Sequence, residues 1–191
     1  ATACSQAVNW VRRRLPGWET HLVDDGFLLA MPPGARPEGV RVLFVSHVDE
    51  IGGYVLGPHP SGGHRATPIG VPLQALSGRF LQCFDWLDVD GSSVRPIEAR
   101  VEDDTLLVFG KRLQSYATAF TYLEPTRIEG EWIIGKALDP RLTAYAVTEA
   151  ARRLADTEVA VMLVFAEECS IHAAEKGAAY ARRRMGGLRL V

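Results

Sequence analysis

The sequence predicts an α/β fold interrupted by a small β-rich unit, and three observations carry that prediction. Residues 40–48 and 159–166 are long apolar runs that stop abruptly at acidic residues, as buried strands of an α/β sheet do. Stretches with helical periodicity flank the second run. Between them, residues 79–123 show short alternating segments and no helical period, which points to a separate all-β piece.

The elements follow in order. Residues 5–15 predict an amphipathic helix with Ala7, Val8, Val11 and Leu15 on one face, stopped by Pro16-Gly17. Residues 18–23 and 27–31 predict strands joined by a tight turn at Asp24-Asp25-Gly26. Residues 32–39 form a loop that leads into the buried strand 40–48. Residues 54–78 are rich in Gly, Pro and His, and so predict a loop. Strands are expected at 79–87, 93–101 and 105–109, with Asp90-Gly91 as a hairpin turn. Past Asp139, Val147, Ala150, Ala151 and Leu154 recur at helical spacing and predict a helix packed on the sheet. The strand 159–166 follows, then an Ala-rich helix over 171–184 whose terminal Arg182-Arg183-Arg184 complements the helix dipole. Leu188 begins what resembles another strand.

With 191 residues and 47% hydrophobic content, the chain can bury a substantial core. A formal charge of −2 offers no basis for nucleic-acid or anionic-membrane partners. No apolar stretch reaches the ~18 residues of a membrane span. Cys4, Cys83 and Cys169 are odd in number and widely spaced, so neither a disulfide framework nor a zinc knuckle is indicated, and a cytoplasmic protein is expected.

The chemistry gathers where the apolar runs end. His47 and Asp49 are two apart, so on an extended backbone they point to one side, which suits an imidazole fixed by a carboxylate. Asp139 stands directly before a helix, and Glu167-Glu168 close the second strand. One histidine and several carboxylates at sheet edges form a donor set for one or two divalent metals.

Three motifs, Ser46-His47-Val48-Asp49-Glu50-Ile51-Gly52, Gly135-Lys136-Ala137-Leu138-Asp139-Pro140-Arg141 and Phe165-Ala166-Glu167-Glu168, resemble the glutamyl aminopeptidase family of co-catalytic metallopeptidases. That family includes the tetrahedral aminopeptidases, and some members are labelled endoglucanase. The resemblance implies a mixed-sheet, zinc-peptidase-like catalytic domain from residues 1–59 and 131–191, with a β-rich dimerisation domain inserted at 60–130. It implies two divalent ions (Zn, Co or Mn), with His47, Asp139 and Glu168 as metal ligands and Asp139 bridging. Asp49 would orient His47, and Glu167 would be the general base that activates water. The activity implied is release of N-terminal residues from peptide substrates by a homo-oligomer, from dimer to dodecamer. The family takes a further Asp and His from sequence beyond Glu-Glu, so the resemblance also implies catalytic-domain sequence beyond Val191. A catalytically inactive relative kept for binding or assembly, and a deacylase on the same scaffold, are the alternatives.

Related peptidases hold the peptide after the bridging Asp in cis, and proline makes that geometry cheap, so Asp139-Pro140 is predicted cis. Departures from the family pattern include Cys169-Ser170-Ile171-His172 after the acids, which raises a thiol nucleophile or an extra ligand as minor alternatives. His59 and His64 fall in the Gly/Pro-rich stretch and are expected to be plain exposed residues. Glu50 is expected to cap or solvate the turn after its strand rather than to bind metal.

Overall fold

In the computed structural model, residues 2–23, 26–85, 92–136, 138–154, 158–165, 167–168, 172–186 and 188 are described. They divide into two compact units, one of residues 3–49 and 138–191 and one of residues 50–137. The expected turn at Asp24-Asp25, the hairpin turn at Asp90-Gly91, Cys169 and the strand beyond Leu188 lie outside the described residues.

The first unit is a mixed sheet between helices. Helix α1 (Thr2–Arg14) leads to strands β1 (Glu19–Val23), β2 (Phe27–Met31) and β3 (Val42–His47). Helices α2 (Leu138–Leu154) and α3 (His172–Arg184) and a later strand (Val159–Val164) complete it. The later strand pairs antiparallel with β2 on one side and parallel with β3 on the other. Its six residues are all buried because both faces are covered. Val159, Val161 and Leu163 pack with Val11 of α1, with Leu15 just past its end, and with Ala144 and Ala151 of α2. Ala160, Met162 and Val164 pack on the other face with Ala173 and Ala181 of α3. An unbroken apolar run is therefore what a central strand between two helical layers requires.

Two expectations are corrected here. Residues 40–48 were expected to form an interior strand, but β3 lies at the edge of the four-stranded sheet and Val45 is 52% exposed. Among the described residues no strand pairs with its outer side, so an apolar composition does not by itself cover both faces. Of the face expected for α2, Ala151 is buried and Val147 packs against the core, but Leu154 is 56% exposed, and Pro140, Ala144 and Thr148 complete the buried stripe.

The second unit is a closed six-stranded barrel. Its strands are β4 (Gly52–Pro58), β5 (His64–Ile69), β6 (Phe80–Asp85), β7 (Arg95–Glu102), β8 (Thr105–Phe109) and β9 (Thr118–Tyr122), closed in the order β4-β5-β8-β7-β6-β9. Val55, Leu81, Cys83, Ile97, Leu106, Val108 and Phe120 fill the interior. The stretch 54–78, expected as loop, supplies most of β4 and all of β5. Its glycines suit close strand approach and a bulge between Val55 and Gly57, which masks the usual strand signal. A Cβ on Gly52 would run into the Phe120 carbonyl, so that strand contact requires glycine. A hairpin, β10 (Arg127–Glu129) and β11 (Trp132–Ile134), closes the unit, which makes the strand between α2 and α3 β12. Glu50, expected to cap or solvate a turn, instead pairs with Lys136 at 3.1 Å and accepts a hydrogen bond from the Thr121 hydroxyl. The two ends of this unit are thereby tied to each other.

Candidate metal centre

The parallel pairing of β3 with β12 builds the site. His47 stands opposite Val164 in the register, so the two strands end side by side at their carboxyl edge. His47 is the last residue of β3, and Glu167 and Glu168 occupy the turn just after β12. Asp139 arrives from the start of α2, with extended backbone (φ −92, ψ 117) immediately before the helix proper. The Asp139-Pro140 peptide is cis, as expected from the sequence.

These side chains converge. A donor atom from each of His47, Glu167 and Glu168 lies within 4.8 Å of the others. The Nε2 of His47 is 3.0 Å from Asp139 Oδ1. Its Nδ1 is 3.6 Å from Asp49 Oδ1 and 3.9 Å from Glu167 Oε2, and this buried atom makes no hydrogen bond among the described residues. Asp139 is 83% exposed, so the site opens to solution on that side.

Asp49 performs a task the sequence did not suggest. Its two carboxylate oxygens accept the backbone N–H groups of Glu167 (3.1 Å) and Glu168 (2.9 Å). It thus fixes the turn that presents both glutamates. Its separation from His47 exceeds hydrogen-bond length. A second unanticipated pair lies behind the site, where Ser46 meets Thr143 of α2 at 3.0 Å. The sequence distances involved, 118 and 97 residues, leave no local signal for either contact.

The electrostatics are those of a crowded anionic site. Burial pushes the Glu168 carboxyl above its ordinary value; His47 opposes that rise, while Glu167, Asp49 and Asp139 add to it. An orphaned buried imidazole nitrogen among converging carboxylates is a surrounding that a divalent cation satisfies. The residues present therefore fit a metal. His59 instead bonds Ser61, His64 lies in the barrel strand β5, and His172 bonds Glu175, so none of them joins this group.

No protein-family model matches the sequence, and no curated protein matches it. Solved structures do. The TET1 peptidase of Pyrococcus horikoshii, which assembles into a tetrahedron or a large octahedral shell, aligns with TM-score 0.71 at 18% identity, over 91% of this chain and 59% of its own. A TET aminopeptidase from a marine-sediment Thaumarchaeota archaeon gives 0.70 at 17%, over 92% and 56%. A Thermotoga maritima protein named endoglucanase gives 0.62 at 17%, over 90% and 57%. The chain therefore shares the mixed α/β fold of these structures and spans under three-fifths of their length.

Proposed function

We propose that this protein is a metal-dependent aminopeptidase in which His47, Asp139 and Glu168 hold divalent metal and Glu167 is the general base. The observation that carries this reading is the convergence of one donor atom each from His47, Glu167 and Glu168 within 4.8 Å of one another, with Asp139 Oδ1 3.0 Å from His47 Nε2. The peptidase and aminopeptidase names of the structural neighbours support the substrate class.

Bound divalent ions would supply Lewis acidity toward a peptide carbonyl and lower the pKa of water. The residues do the rest. Glu167, half exposed beside His47, takes the proton of the attacking water and passes it to the leaving amine. Asp49 holds the Glu167–Glu168 backbone, so the base and the ligand keep one geometry through the cycle. A free α-amino group on the substrate meets the open, acidic side marked by Asp139, which favours cleavage at the N-terminal residue. The shell-forming Pyrococcus neighbour supports a homo-oligomer, and we assign its assembly to the barrel of residues 50–137.

The test is hydrolysis of free-amine aminoacyl-anilides with added Zn²⁺, Co²⁺ or Mn²⁺, against a chelator control. Metal-dependent turnover that falls by about 10²–10⁴-fold in Glu167→Gln is expected. Hydrolysis of N-blocked substrates alone would point to a deacylase. Metal uptake without any hydrolysis would leave a binding or assembly protein.

A further inference from the structure

Behind the candidate site, two hydroxyls join elements that each present a site residue. Ser46 directly precedes His47 on β3, is buried, and shares its strand face with Val42 and Phe44, which pack toward α2. Across that face its Oγ lies 3.0 Å from Thr143 Oγ1. The Thr143 hydroxyl donates to the Pro140 carbonyl at 2.8 Å, and Pro140 directly follows Asp139. A hydroxyl has one proton. With the Thr143 proton on Pro140, Ser46 donates to Thr143; with the Ser46 proton on the His47 carbonyl, 3.1 Å away, Thr143 donates to Ser46 instead. The path therefore runs from the residue before His47, through α2, to the residue after Asp139.

Packing alone does not call for this arrangement. Ser46 is buried on an otherwise apolar strand face, where an unpaired hydroxyl costs stability, whereas Thr143 is an exposed residue of α2. Alanine and valine would fill the same volumes. The pair offers direction instead, because hydrogen bonds fix a separation and an angle where apolar contacts allow sliding.

We infer that Ser46 and Thr143 form a positioning latch that sets His47 against Asp139 across the metal site. This inference rests on the metallopeptidase reading for its consequence, but its geometric content is independent of it. Neither hydroxyl touches metal or substrate; both act through the two elements they join. Partners that orient metal ligands in this way change metal affinity by about 10–100-fold when removed.

The experiment has a binding arm and a structural arm. In the first, Zn²⁺ is titrated calorimetrically into the metal-free full chain and its Ser46→Ala, Thr143→Val, Thr143→Ser and Ser46→Ala/Thr143→Val variants, with His47→Ala as control. Each hydroxyl deletion is expected to weaken Zn²⁺ binding by about 10–100-fold. The double variant should be no weaker than either single one, and Thr143→Ser should restore near-native affinity. In the second arm, the crystal structure of metal-free Thr143→Val should show His47 Nε2 and Asp139 Oδ1 drawn apart from 3.0 Å to beyond hydrogen-bond reach. Additive losses, failure of Thr143→Ser to rescue, or an unchanged separation would each overturn the latch. Wild-type Zn²⁺ uptake that survives His47→Ala would sink the metal reading instead, leaving the structural arm to decide on the latch.

Discussion

Asp49 concentrates a large share of the site's order in one carboxylate. Replacing it with Asn leaves one acceptor oxygen for two backbone N–H groups, so one donor of the Glu167–Glu168 turn loses its partner. The loss is expected at about 1.5–3 kcal/mol in urea unfolding, the usual range for hydrogen bonds to a charged group. Cys83 gives a second prediction at this scale. Burial pushes its thiol above the ordinary 9.0; Arg95 opposes this and Asp85 adds to it. The folded state therefore keeps the thiol neutral where the unfolded chain ionises. That contribution to stability is intact below about pH 9 and is lost as pH rises from there toward the raised folded value. The urea midpoint should fall between pH 8 and 10, and fall less in Cys83→Ala. Tyr122, also raised by burial, acts in the same direction from about 10 upward. His47, Glu167 and Glu168 stood out in the sequence because apolar runs ended on them, and Asp139 because it stands directly before a helix. Ser46 and Thr143 did not, because hydroxyls beside a strand end and in a first helical turn are ordinary there.

At the scale of elements, pattern was legible where it was pure and misleading where two environments share one composition. The later strand of the sheet announced itself by an unbroken apolar run buried on both sides. β3 carries nearly the same composition yet sits at an edge, since the sequence records hydrophobicity and not the presence of a neighbour. β4 and β5 were hidden by glycine and proline, residues that a tightly closed barrel uses for close approach. This yields a contrast between two glycines. Gly52→Ala drives a Cβ into the Phe120 backbone, which cannot yield, and should cost about 1–3 kcal/mol. Gly177→Ala in α3 meets the flexible Met162 side chain, its sulfur at 2.8 Å, and touches Phe27 at 3.9 Å, and gains helix propensity of about 1 kcal/mol. It should be close to neutral. Thermal unfolding of the two variants side by side checks both.

For the whole molecule, metal and stability should be linked. A cation that binds the folded site and not the unfolded chain adds about 2.7 kcal/mol at a hundred times its Kd. Added Zn²⁺ should raise the Tm, a chelator should reverse the rise, and His47→Ala should abolish the response. An unchanged Tm in the wild type would mean that the carboxylates and His47 hold no ion. The division into two units was partly foreseeable, since the loss of helical period marks the insertion. The Glu50–Lys136 pair that joins its ends was not, because each residue alone looks like a solvated charge.

The interrupted order of the chain also has a consequence for how it is made. β3 leaves the ribosome roughly a hundred residues before β12, the strand it pairs with, which at ~5–20 residues per second is a wait on the order of ten seconds. The barrel, by contrast, is contiguous in sequence and can close within that interval. His47 thus waits at the end of β3 until β12, the strand it pairs with, has been made. A pause or misstep in translation between residues 50 and 137 would strand the site before its second acidic edge exists.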